Sequence, residues 1–67
     1  MGGATNLLNG KKVVVTGGAG LLGRSFCQGV AEQGGFVVVA DRDCVAASAV
    51  VRELNEALGE CAEPFPL

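Results

Sequence analysis

Apolar positions in this chain follow two different periods, and the places where the period changes outline its elements. Val13, Val14 and Val15, between Lys12 and Thr16, form a β-branched run with no polar alternation, and Phe36-Val37-Val38-Val39-Ala40 repeats that signature. Short runs that are apolar on both sides read as strands buried on both faces of a parallel sheet. Between them, Gly17-Gly18-Ala19-Gly20 breaks the first run, and residues 21–33 put Leu22, Phe26 and Val30 at i, i+4 and i+8, one stripe of an amphipathic helix. Gly34-Gly35 then stops the helix as a left-handed cap. After the second run, Asp43 stands as the N-cap of a helix over 44–58, with Ala47, Val50, Val51, Leu54 and Leu58 on one face and Gly59 closing it. Glu63-Pro64-Phe65-Pro66-Leu67 approaches a third strand without establishing one.

The order strand, glycine-rich turn, helix, strand, helix calls for parallel strands joined by right-handed crossovers, an α/β architecture. Residues 1–10, rich in Gly and Asn, read as a loose lead-in, and residues 11–67 as the βαβα body. Composition changes this picture in one respect. At 67 residues the chain is less than half of an ordinary domain, yet 49% of it is hydrophobic and its mean hydropathy is +0.43. Such valine strands without a polar face belong inside a wider sheet, so the expectation is a truncated N-terminal piece of a larger open α/β sheet.

Charge and cysteine content exclude several function classes. Five Lys/Arg against seven Asp/Glu give a net charge of -2, and the only basic cluster is Lys11-Lys12, which argues against a nucleic-acid partner. No apolar run approaches the roughly 20 residues of a membrane span, and the N-terminus lacks a signal-peptide pattern, so the expected location is cytoplasmic with no membrane partner. Cys27, Cys44 and Cys61 form no C-x-x-C pair and the chain has no histidine, so no metal site is expected and the cysteines read as reduced thiols in helices or at their ends.

Gly18-Ala19-Gly20-Leu21-Leu22-Gly23 is a G-x-G-x-x-G placed after a buried strand and at the start of a helix. In that setting one glycine permits the tight turn, another lets a pyrophosphate approach the backbone, and Gly23 allows close helix packing. The helix N-terminus supplies free N–H groups and a partial positive charge for phosphates. Asp41 ends the next buried strand at about the distance where a Rossmann unit places the acid for the adenosine ribose hydroxyls. A carboxylate there repels a 2'-phosphate and favours NAD over NADP, while the guanidinium of Arg42 pulls the other way.

Lys11 to Arg24, followed by Val37 to Asp43, resembles the N-terminal segment of a short-chain dehydrogenase/reductase. Thr16, Gly17, Gly20 and Gly23 fit the T-G-x-x-G-x-x-G form, which is similar to the extended, epimerase-like branch. Leu21 stands where the classical branch expects its middle glycine. The resemblance implies a partial Rossmann (βαβα) unit, the start of a doubly wound sheet. It also implies that Gly17, Ala19, Gly20, Leu21 and Leu22 line the pyrophosphate, and that Asp41 with Arg42 holds the ribose. It implies no catalytic residue here, because the family's proton donor is the Tyr of a Tyr-x-x-x-Lys motif and the chain has no Tyr. The full-length parent is then expected to be an NAD(P)-dependent oxidoreductase, or an epimerase or dehydratase using the same cofactor, with a homo-oligomer of that protein left open. The 67 residues alone are not expected to catalyse.

Two other readings compete. Gly18 to Ser25 spells G-x-x-x-x-G-R-S, one residue from a phosphate-binding P-loop, but Arg24 replaces the lysine that reaches the β and γ phosphates. Alternatively the chain is a complete short product, a non-catalytic interaction module that pairs a sheet edge or apolar face with a partner.

Overall fold

A computed structural model describes residues 7–67. Its elements run β1 (Lys12–Thr16), α1 (Leu21–Glu32), β2 (Phe36–Asp41), α2 (Cys44–Leu58) and β3 (Ala62–Pro66). All pairing is parallel in the order β1-β2-β3, with Val13 opposite Val37 and Val37 opposite Ala62. The valine runs are therefore strands in register, and the helices are the crossovers that parallel pairing requires. The expected lead-in falls partly on residues 1–6, outside the described residues. From Leu7 to Gly10 the backbone turns, and the Leu8 N–H donates to the Gln33 carbonyl at 2.9 Å.

Both helices cover one face of the sheet. The buried cluster takes Val15, Val37, Val39 and Ala62 from the strands, Cys27, Val30 and Ala31 from α1, and Ala47, Val50, Val51 and Leu54 from α2. Strand members alternate, as a pleated strand dictates. Val38 and Ala40 point to the opposite face; they are buried, but their neighbours there, Val14 and Phe65, are 60% and 54% exposed. Among the described residues no helix covers that second face. No helix is long and apolar enough to cross a membrane.

The structure corrects the expected stripe of α1. Leu22 and Phe26 are 85% and 66% exposed, and only Val30 of that set is buried. The face turned to the sheet is Cys27, Val30 and Ala31 instead, with Gly23 of the same side against the glycine-rich loop. Small residues are needed there because α1 leaves β1 through a tight turn and lies close to the loop, leaving no room for leucine or phenylalanine. In α2 the expected face holds from Ala47 to Leu54, with Leu58 half exposed.

The third strand is a second correction, since β3 is fully paired to β2. Two prolines hide it in the sequence, because proline cannot donate to a ladder. The Val37 N–H donates to the Cys61 carbonyl at 2.8 Å and the Leu67 N–H to the Asp41 carbonyl at 3.3 Å. Every second residue of a parallel strand faces its partner, so 61, 63, 65 and 67 face β2. Pro64 and Pro66 then point their missing donors at the free edge. Entry into β3 is set by Asn55, whose Oδ1 accepts from the N–H groups of Cys61 (2.8 Å) and Ala62 (3.0 Å) while its Nδ2 donates to the Ala62 carbonyl (3.2 Å).

Candidate functional site

At the C-terminal end of β1 the chain must reverse within four residues and start a helix. Gly17 takes φ +66°, a left-handed conformation that side chains disfavour, and the Gly20 N–H donates back to the Gly17 carbonyl at 3.0 Å. Gly18 is buried: a Cβ on it would lie 2.9 Å from the Val15 carbonyl oxygen and from Cγ1 of Val39. Gly23 is tighter still, since its Cβ would lie 2.2 Å from the Gly17 oxygen and 2.8 Å from the Gly18 Cα. This third glycine lets α1 close on the loop itself rather than on the strands.

Gly20 caps α1 without a side-chain hydrogen bond. The Arg24 N–H is the first to turn back into the helix, donating to the Gly20 carbonyl at 2.8 Å. Leu21, Leu22 and Gly23 have no backbone acceptor for their N–H groups among the described residues. Three free donors at a helix start, beside the exposed glycine backbone of Gly17 and Gly20, make a cradle for an anion. The side chains of Leu21 and Leu22 are 87% and 85% exposed, so any contact they make with an anion there is through the backbone.

Asp41 comes to this loop from the neighbouring strand. Its Oδ2 accepts from the Ala19 N–H at 3.1 Å, its Oδ1 accepts from the Asp43 N–H at 2.9 Å, and one residue earlier the Ala40 carbonyl accepts from the Gly18 N–H at 3.2 Å. The Asp43 and Ala19 donors, the first of these the stronger, hold the Asp41 carboxyl below the ordinary aspartate range. The group is therefore anionic at neutral pH. Arg42 follows it as an exposed residue with no ion pair among the described residues. The structure thus brings Gly17, Ala19, Gly20, Leu21, Leu22 and Asp41 to one end of the sheet, with Arg42 at the rim.

The Ala19 N–H is spent on Asp41, so the donors open to an anion begin at Leu21. Sequence spacing places both residues near the site but carries no sign of this bond, because nothing in a one-dimensional pattern couples positions 22 apart. Beneath the loop, Cys27 is fully buried and its Sγ–H donates to the Gly18 carbonyl at 3.8 Å, and burial pushes the thiol pKa up. All three cysteines are free. Among the described residues no cluster of His, Cys, Asp or Glu is suited to a metal.

A concavity of about 280 Å³ lies elsewhere, between α1 and α2, lined in part by Arg24, Gln28, Glu53 and Leu54. It sits on the helix layer and not at the strand ends. Arg24 is ion-paired to Glu53 across it, which turns the guanidinium toward α2 and away from the position a P-loop lysine would serve.

A glycine-rich strand-to-helix turn facing an acid at the end of the adjacent parallel strand defines the Rossmann class of α/β fold. A family profile described as short chain dehydrogenase matches residues 11–67, and this chain belongs to that family. The Bacillus subtilis (strain 168) protein named uncharacterized oxidoreductase YuxG is 40% identical over 50 residues, 75% of this chain and 7% of that protein. A structure described as a short chain dehydrogenase of Escherichia coli CFT073, complexed with NADPH, superimposes with a TM-score of 0.89 at 28% identity, over 94% of this chain and 26% of that one. A hydroxysteroid dehydrogenase from Escherichia coli gives 0.81 at 34% identity, over 88% of this chain and 24% of that one. The chain spans about a quarter of these solved proteins and less than a tenth of the curated relative.

Proposed function

We propose that residues 11–67 form the adenosine-diphosphate half of an NAD(P) site within an oxidoreductase of the short-chain dehydrogenase family. The observation that carries this reading is the position of the Asp41 carboxylate, 3.1 Å from the Ala19 N–H and beside the free donors of α1. Pyrophosphate and ribose are neighbours in a dinucleotide, and an anion cradle next to a hydroxyl acceptor is the matching pair. The residues fit such a group: no Cβ stands on Gly17 or Gly20, and the exposed loop backbone is open to phosphate oxygens.

In this reading the N–H groups of Leu21 and Leu22 bind the pyrophosphate, Gly17 and Gly20 permit its approach, and Ala19 stacks the loop against the end of β2. The Asp41 carboxylate accepts from the ribose hydroxyls through lone pairs that its two backbone donors leave free. The nicotinamide, when bound, supplies a hydride acceptor or donor. Nothing in residues 7–67 is assigned to the proton transfer that accompanies it. Reduction of a carbonyl or oxidation of an alcohol by the whole protein is the proposed activity.

We further infer NAD rather than NADP as the preferred form. An anionic Asp41 opposes a 2'-phosphate directly, whereas Arg42 lies exposed at the rim with no ion pair to hold its side chain among the described residues. The relatives from Shigella flexneri and Escherichia coli solved with NADP and NADPH make this a point to be measured. Calorimetric titration of NAD and NADP into the chain and its Asp41→Ala variant tests it. NAD affinity is expected to fall and NADP affinity to rise in the variant; equal NAD affinity in the two removes Asp41 from the site.

A further inference from the structure

We propose that Asp41 is also a positioning residue for the glycine-rich loop: its carboxylate clasps the Ala19 N–H and thereby sets where the anion-binding donors of α1 point. The ligand arm of this inference rests on the dinucleotide reading above, but the clasp itself is a property of the ligand-free chain.

The clasp has three parts. Oδ2 holds the loop at Ala19 (3.1 Å), Oδ1 holds the start of the α2 approach at Asp43 (2.9 Å), and the Gly18 N–H to Ala40 carbonyl bond (3.2 Å) runs alongside. Among the described residues the other bonds on the loop are the Gly20 N–H to the Gly17 carbonyl (3.0 Å) and a weak one from the Cys27 Sγ–H to the Gly18 carbonyl (3.8 Å), and neither holds Ala19. Glycine at 17, 18 and 20 gives that segment wide conformational freedom. A charge-assisted bond from the next strand restrains it more strongly than a neutral bond of the same length. Because Ala19 lies two residues before Leu21, fixing its peptide plane also fixes the direction from which the first helical donors are presented. One carboxylate thus binds at the ribose position and shapes the pyrophosphate position.

The two roles predict opposite signs for one measurement. If Asp41 only contacts ribose, its removal leaves inorganic pyrophosphate binding unchanged or tightens it, because a negative charge near the anion is lost. If Asp41 positions the loop, removal weakens pyrophosphate binding even though no ribose is present.

The test uses the 67-residue chain, its Asp41→Ala and Asp41→Asn variants, and Glu56→Gln as a charge-matched control on the exposed face of α2. Amide resonances are followed without ligand and then with inorganic pyrophosphate. The wild-type Ala19 amide is expected to be shifted downfield and protected from exchange, with protection falling roughly tenfold in Asp41→Ala. Asp41→Asn should keep part of it, since Ala19 and Asp43 donate to different carboxylate oxygens and the amide replaces one of these with NH2. Pyrophosphate binding is expected to weaken about fivefold in Asp41→Ala, the scale of one lost hydrogen bond, and to be unaffected in Glu56→Gln. Should the alanine variant unfold, the near-isosteric asparagine variant carries both measurements. Unchanged Ala19 protection in the variants overturns the clasp, and equal or tighter pyrophosphate binding overturns its positioning role. A wild-type chain that protects Ala19 but ignores pyrophosphate overturns the dinucleotide reading and leaves the clasp standing.

Discussion

At Gly23 the space a methyl group needs is already filled by backbone, with the Gly17 oxygen 2.2 Å from where a Cβ would stand. Backbone at a turn held by Gly17 at φ +66° cannot yield as a flexible side chain does. Gly23→Ala is therefore expected to cost about 3 kcal/mol or more, read as a lowered midpoint in urea, while Gly29→Ala, inside α1 with open space around it, is expected to stabilise by about 1 kcal/mol. Asp41 carries a pH dependence of its own. Its folded carboxyl sits below the ordinary aspartate range, so its stabilisation is fully present above that range and is lost as pH falls through the lowered value. Acid titration followed by circular dichroism should show this loss in the wild-type chain and not in Asp41→Asn. The motif and the acid were both legible as letters in the sequence. The bond between them was not, since it depends on β1 and β2 lying side by side in register.

At the scale of elements, most boundaries followed from local chemistry: valine runs for β1 and β2, left-handed glycines at Gly34 and Gly59, and Asp43 at the head of α2. The Asp43 Oδ1 accepts from the Ala46 N–H at 3.0 Å, so Asp43→Ala should cost about 1 kcal/mol in thermal or denaturant unfolding. Two features went the other way, and each has a tertiary cause. The α1 stripe of Leu22 and Phe26 is periodic but faces outward, because closeness to the loop selects small residues for the inner side. β3 contains two prolines that a central strand would reject, and an edge accepts them. Asn55 ties α2 to β3 through three bonds, and no spacing rule marks it. Asn55→Ala leaves two N–H groups without their acceptor and is expected to cost roughly 2 kcal/mol, against a few tenths for Glu53→Gln, whose ion pair with Arg24 is exposed. Comparable unfolding midpoints for these two variants would contradict the clamp.

Across the whole molecule the two sheet edges differ. On β3 the prolines blunt the outer edge, which is how sheets avoid further pairing. The outer edge of β1 carries no proline, and beside it Val14 is 60% exposed on the face that no helix covers among the described residues. With apolar surface left bare by Val14 and Phe65, the folded 67-residue chain should bind a dye that reports exposed apolar surface before its unfolding transition. No dye binding below the transition would contradict this account of the bare face.

The sequence by itself determined that the chain is α/β, that its strands are parallel, where the turns fall, and that a glycine-rich loop at a helix start precedes an acid on the next strand. These follow from local rules: which residues tolerate a left-handed turn, which periodicity buries a face, and which residue caps a helix. Only the tertiary structure decided that α1 packs through Gly23, Cys27, Val30 and Ala31, that residues 62–66 are a strand, and that the Asp41 carboxylate closes on Ala19. Each of those depends on the separation of groups far apart along the chain, and that separation exists only once the sheet has formed.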